Sequence, residues 1–223
     1  MTVTWETLDA RMVVLLGSAA DANDEDRIEF WNLAQDFFAA NHTAKQQKYV
    51  FAASGSSADI AMPDDYIEVY AVYDEEENIL LEPHELVPGM SWDRAESSDY
   101  RPYGYIEWPY ATVHLFQTPS ANVEALEIWY WAQYEPVVDN ESVIEVPKWA
   151  HEALLCYAVA ASFLPKLADA SFLNEYKTKV DSGNPMQNPL LEAHNTFLKR
   201  YEYLLKDRPR QIRRPVFKAG GRV

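Results

Sequence analysis

His151 and Glu152 are the first residues whose types and spacing promise chemistry, because a histidine followed by a glutamate opens the zinc-protease helix motif. That motif needs a second histidine one turn later, and Leu155 stands there instead, after Ala153 and Leu154. The other histidines, His42, His84, His114 and His194, are scattered along the chain without the short spacing that marks a metal site. The acidic run from Asp21 to Asp26 resembles a calcium loop. It lacks the sixth-position glycine and a terminal glutamate ligand, so helix capping explains it better.

Nucleophile and phosphate templates fail as well. Cys156, the single cysteine, lies on a helical apolar stripe and reads as a small packed hydrophobe rather than an activated thiol. A chain with 7 glycines offers no glycine-rich phosphate loop. With 35 acidic residues, a glycosidase-type carboxylate pair can be neither excluded nor singled out. His194 on an apolar face reads as a hydrogen-bonded core or interface residue, and Glu75–Glu77 as a solvated loop tip. The Trp and Tyr residues of 125–134 would suit a sugar-stacking surface, but a half-buried strand explains them more simply.

Three kinds of element must position these residues. Trp5, Leu8, Met12 and Leu15 have helical spacing over 4–17, and Gly17 and Ser18 end that helix. After a polar link, Asp24 is the N-cap candidate of a helix that runs to about Ala40. Its apolar bulk is Ile28, Trp31, Leu33, Phe37 and Phe38. Residues 45–134 then have strand composition broken by prolines. Strand candidates are Tyr66–Tyr73, a return at Ile79–Leu81 after the turn Asp74–Asn78, then Tyr103–Trp108, Thr112–Gln117 and Ala125–Tyr134. Helix resumes at Pro147, with a stripe of Trp149, Ala153, Cys156, Tyr157, Ala160 and Leu164 that Pro165 should break or kink. A further helical stretch is expected over 166–180, stopped by Ser182–Pro185. A last helix spans about 189–205, with Leu190, Leu191, His194, Phe197, Leu198, Tyr201, Leu204 and Leu205 on one face. Helices, a β-rich insertion and helices again predict an α+β fold. The expected divisions are N-terminal helices over 1–44, a β-rich insertion over 45–146, C-terminal helices over 147–206 and an extended arm over 207–223. Trp149, Tyr157, Phe197, Leu198 and Tyr201 are the expected core of the helical part.

Charge divides the chain differently. The net charge is −16, yet residues 206–223 carry seven basic side chains and one acidic, a balance of +6 that leaves −22 for residues 1–205. The acidic body would repel nucleic acid at long range, while the arm would take phosphate or an acidic protein surface. The apolar run Met12–Leu16 is too short for a signal peptide core or a membrane span, and no basic residues precede it. The chain reads as soluble and unprocessed, and one cysteine excludes an internal disulfide.

The order of these features is informative. Asp26-Arg27 and Phe30-Trp31-Asn32-Leu33-Ala34-Gln35 lie in the N-terminal helices. Met62-Pro63-Asp64-Asp65-Tyr66-Ile67-Glu68-Val69 opens the β-rich middle. Ile128-Trp129-Tyr130-Trp131-Ala132 leads to a loop at Pro136. Val146-Pro147-Lys148-Trp149-Ala150-His151-Glu152 opens the next helix, and Gly183-Asn184-Pro185 precedes the last. This succession, over about residues 4–205, resembles the head-to-tail adaptor proteins of tailed bacteriophages, also called head-completion or connector proteins. The stretch 166–181 and the basic tail are longer than the plainest members need. The resemblance implies a structural virion protein of the neck, made in the host bacterial cytoplasm. It would assemble with its own copies into a ring of about twelve beneath the portal protein. It would link the portal to a tail or tail-tube protein and let double-stranded DNA pass without specific binding, with no membrane contact. No catalytic residue, cofactor or metal is expected. The partner-binding candidates are Arg208, Arg210, Arg213, Arg214, Phe217 and Lys218 of the arm, expected to hold an acidic protein surface. Another neck component, such as a stopper or tail-completion protein, a stand-alone carbohydrate- or protein-binding module and a carboxylate-based hydrolase stay open as alternatives.

Overall fold

The structure is a computed structural model, which describes residues 3–17, 23–52, 58–84, 101–108, 111–116, 119, 125–172 and 189–208. Helices at both ends of the chain flank a β-rich middle, the predicted α+β class. Two compact units result, one from Met1–His42 with Tyr134–Arg210, the other from Thr43–Gln133.

The first unit is helical. Helix α1 (Trp5–Leu16) buries Trp5, Leu8, Met12 and Leu16, a face one residue rotated at its end from the predicted Leu15. Gly17 closes it at φ 55, a left-handed conformation that glycine adopts without steric cost, and its amide donates to Val13 O. Helix α2 (Asp24–Asn41) is capped one residue earlier than expected. The Asn23 Oδ1 accepts from the Asp26 amide at 2.8 Å, while the Asp24 carboxylate is held by Arg27 at 2.7 Å and so is not available as the cap. The face that α2 buries is Arg27, Trp31, Ala34, Gln35, Phe38 and Ala39. Leu33 and Phe37, expected as part of its apolar bulk, lie on the outside.

Polar residues of α2 hold the extended run after Tyr134. Asn32 acts as a strand backbone would, its Nδ2 donating to Val137 O at 2.9 Å and its Oδ1 accepting from Val137 N at 2.8 Å. Gln35 donates to Glu135 O at 3.3 Å. Farther on, Thr4 and Val143 form an isolated antiparallel bridge, flanked by the Trp5 amide on Ser142 O and the Ile144 amide on Val3 O.

A 3-10 turn (Lys148–Ala150) leads into α3 (His151–Phe172), which packs against α1, α2 and α4 (Pro189–Leu205). Ala150, Ala153, Ala158, Ala160 and Ala161 are all buried, small side chains that let helices approach on several sides. The expected break at Pro165 does not occur, for α3 continues through it to Phe172. A helix surrounded by packed neighbours tolerates one lost hydrogen bond that an isolated helix would not. The rest of the predicted 166–180 stretch and its stop at Ser182–Pro185 lie outside the described residues.

The central position of α3 also corrects the expected core. Tyr201 is buried, but Trp149, Tyr157, Phe197 and Leu198 are only half-buried, and Leu164 is exposed. Burial concentrates on the small and aliphatic residues of α3, with the large aromatics at its margin. Phe37 and Tyr157 stack there at 4.6 Å, Tyr157 and Tyr201 meet edge-on at 5.2 Å, and Phe163 lies along Phe197 at 6.3 Å.

Among the described residues, the second unit is two four-stranded sheets. The first has the order β1 (Lys45–Ala52), β8 (Ala125–Ala132), β3 (Tyr66–Asp74), β4 (Ile79–Leu80). The second has the order β2 (Asp59–Ala61), β7 (Thr112–Phe116), β6 (Gly104–Trp108), β5 (Glu82–Pro83). Among the described strands, the pairings are antiparallel except for the short β5–β6 pair. The sheets share one core, in which Val69, Val72, Leu126, Ile128 and Tyr130 meet Ile60, Tyr105, Val113 and Leu115. Strand β8 is central to its sheet and alternates strictly at first, so its odd-numbered residues Glu127, Trp129 and Trp131 point to the other face.

Candidate interaction surfaces

The root of the basic arm is the one predicted site that the described residues reach. Lys206 and Arg208 continue the end of α4 as a turn, with the Arg208 amide donating to Leu205 O at 3.0 Å. The Arg208 guanidinium then lies 5.3 Å from the centre of the Trp149 ring, a cation–π placement. Trp149 is itself set by Phe38 at 5.8 Å and His42 at 5.6 Å, so the arm leaves the helical unit from a built aromatic seat. Arg210, Arg213, Arg214, Phe217 and Lys218 lie outside the described residues.

A second surface involves the aromatic strand β8. On the outer face of the first sheet, Gln46, Tyr70, Ala71, Tyr73, Leu80 and Trp129 line an open depression of about 310 Å³. Strand pairing assembles it. Lys48 faces Trp129 across β1 and β8, Ala71 faces Trp129 across β3 and β8, and Tyr73 faces Leu80 across the hairpin. Tyr70 stands edge-on to Trp131 at 5.3 Å. Lys48 Nζ lies 5.8 Å from the Trp129 ring centre and 2.6 Å from Glu127, and its hydrogen bond holds the Glu127 carboxyl below the ordinary value. The alternation of 125–132 signals two faces, but which residues gather on the outer one depends on the β1 and β3 registers.

The hairpin tip beside this depression is less free than the sequence implied. Arg101 binds the buried Asp74 at 2.8 Å, Glu76 at 2.5 Å and Glu77 at 3.5 Å. Asn78 turns the tip at φ 55, a left-handed position that asparagine tolerates.

The chemistry-bearing residues of the sequence have packing roles. Burial holds His151 below its ordinary value, so the ring is neutral, and its Nε2 donates to Val146 O at 2.8 Å. Glu152 pairs with Arg200 at 2.5 Å. Burial pushes the Cys156 thiol up, the opposite of activation. His194 Nδ1 donates to Ala160 O at 2.8 Å, joining α4 to α3. His114 pairs with Asp59 at 2.6 Å, and His84 packs edge-on against Phe116 at 4.8 Å. Among the described residues, no three side chains of the metal-binding kinds gather at one point.

The helical unit also presents apolar side chains to the outside. Val14 on α1, Leu33 and Phe37 on α2, Leu164 on α3 and Leu191 and Tyr203 on α4 are all exposed. No described helix is long and apolar enough to cross a membrane. Scattered exposed apolar residues are ordinary, but at least one on every described helix suits a subunit that packs against others.

No curated protein matches the chain. The family model described as SU10 adaptor protein matches it over residues 4–190, which takes in the strands of the second unit, the helical unit as far as the start of α4, and every motif from Asp26-Arg27 to Gly183-Asn184-Pro185. The chain therefore belongs to the SU10 adaptor protein family, a family of phage head-to-tail adaptors.

Proposed function

We propose that this protein is a structural subunit of the virion neck. About twelve copies would form a closed ring beneath the portal and join it to the first tail component. The family match over residues 4–190 carries this reading. Apolar side chains exposed on each of the described helices support it, since a ring subunit needs two different surfaces for its two neighbours. The charge distribution supports DNA passage without DNA binding. A body of −22 repels phosphate, so a duplex in the channel would stay mobile.

The basic arm is the tether in this scheme. Its root is fixed by Trp149, and its Arg and Lys side chains, Arg208, Arg210, Arg213, Arg214 and Lys218, are suited to carboxylates on an acidic protein surface. Phe217 adds an apolar contact. The subunit would do no covalent chemistry; its work is geometric.

Electron microscopy of the purified protein, alone and mixed with the portal and tail proteins encoded beside it, tests the proposal. Rings with a channel wide enough for a duplex, stacked on the portal, are the expected result. A protein that stays monomeric with its portal present, or turnover of a phosphodiester, glycoside or peptide abolished by one substitution, would overturn it.

A further inference from the structure

The proposed tether needs an acidic receptor, and the surface of this protein's own β-rich unit has the composition required. We infer that the C-terminal arm of one subunit docks in the aromatic depression of the first sheet on a neighbouring copy. Phe217 would enter the depression, and the arm's cations would meet the carboxylates beside it. This deepens the ring reading, on which the identity of the neighbour rests.

The chain that could occupy the depression is defined by sequence. Residues 209–223 carry five basic side chains and no acidic one, interleaved with Ile212, Val216 and Phe217. Extended, fifteen residues reach about 50 Å from the seat at Trp149. No other stretch of the chain combines a run of cations with apolar residues in this way.

The receiving surface is its complement. Residues 43–133 hold sixteen acidic and four basic side chains, a balance of −12. Glu127 stands on the same strand face as Trp129, and Glu75, Glu76 and Glu77 form the adjoining turn. Ile79, Leu80, Tyr70 and Val50 leave exposed apolar surface around the depression. Lys48, between Glu127 and the Trp129 ring, already occupies the kind of position an incoming arginine would take. Arginine is the cation best matched to a carboxylate edge and an aromatic face together.

Zero-length carbodiimide cross-linking of the full-length chain tests this. Isotopically light and heavy chains are mixed before assembly, cross-linked, digested and read by mass spectrometry. Lys218 should join Glu75, Glu76, Glu77 or Glu127, in light–heavy pairs, with yield falling several-fold in high salt. Trp129→Ala should lower that yield at least about fivefold, as expected when a stacking contact of roughly 1 kcal/mol is lost. Phe217→Ala should do the same, and because it changes only the arm it remains informative if the Trp129 variant fails to fold. Lys218 joined only to other carboxylates, joined only within one chain, or joined at unchanged yield in Phe217→Ala would overturn the inference. Microscopy of the same sample separates the two readings. Rings whose arms cross-link elsewhere reject the dock and leave the adaptor ring standing, whereas an absence of rings rejects the ring itself.

Discussion

Arg27 shows how much one buried charge decides here. It is 9% exposed, and its guanidinium takes Asp9 through two hydrogen bonds, at 2.6 and 2.9 Å, and Asp24 at 2.7 Å. The fork joins α1 to α2 across eighteen positions of sequence. Arg27→Ala would leave Asp9 half-desolvated and unpaired, and should cost about 2–4 kcal/mol in chemical denaturation. Arg27→Lys should recover only part of this, because an ammonium cannot reproduce the fork. His151 makes a pH prediction. Burial lowers its pKa from 6.5, so the unfolded chain takes up a proton at higher pH than the folded one. Its contribution is therefore complete above pH 6.5 and declines as pH falls towards the lower folded value. His151→Gln keeps a neutral donor for Val146 O. The drop in melting temperature of the parent relative to this variant should widen between pH 7.5 and pH 5.5, in matched thermal melts. Neither residue's role was legible in sequence. His151 attracted notice as half of a metal motif, and only the burial around it shows a neutral ring spent on a carbonyl.

At the scale of elements, helix α3 is where local rules and tertiary context diverge. Propensity alone stops a helix at Pro165, yet α3 runs seven residues beyond it. Pro165 is exposed, so Pro165→Ala should restore the missing hydrogen bond without disturbing the core and raise stability by about 1–2 kcal/mol in denaturant melts. Phe197, half-buried against Phe163, should lose less on truncation than the 3–5 kcal/mol of a fully buried aromatic. Strand β6 depends on a glycine. A Cβ at Gly104 would lie 2.6 Å from the His84 ring and 2.8 Å from the Glu82 carbonyl, at the parallel β5–β6 pair. The carbonyl cannot move aside as a side-chain tip can, so Gly104→Ala should destabilise the β-rich unit by about 1–3 kcal/mol. Limited proteolysis of that variant should cut first within residues 43–133.

For the whole molecule, the two-part charge pattern is the feature to test. Truncation after Leu205 removes the arm and the Arg208–Trp149 contact, and the described residues it removes, Lys206, Asp207 and Arg208, are all exposed. The truncated chain should melt within about 1 kcal/mol of the parent, the scale of a surface change. Its rings should be fewer and should dissociate at lower salt, read by light scattering or microscopy. A truncated chain that assembles normally would remove the arm from the assembly mechanism. An arm seen following DNA phosphates in the channel would assign it to nucleic acid instead.

Much of this protein was settled by its sequence. The change of hydrophobic period near Lys45 and again near Pro147 pointed to the α+β class, because a period of 3.6 and a period of 2 cannot bury the same face; that the run from Tyr134 to Val146 belongs with the helices was decided by its contacts. The hairpin at Asp74–Asn78 and strand β8 were visible for the same reason, and the order of motifs pointed to the adaptor family. Tertiary structure decided the rest. Trp149, Tyr157, Phe197 and Leu198 sit on apolar stripes, but a stripe shows only which face is apolar. How deeply that face is covered depends on the neighbours, and α3 drew its smaller residues to the centre. The outer depression of the first sheet follows the same logic. Alternation placed Trp129 and Trp131 on one face, while Tyr70, Tyr73, Leu80 and Gln46 reached it through the pairing of β8 with β1 and β3 and of β3 with β4. Strand register is fixed by burial across a sheet, and no single strand contains that information.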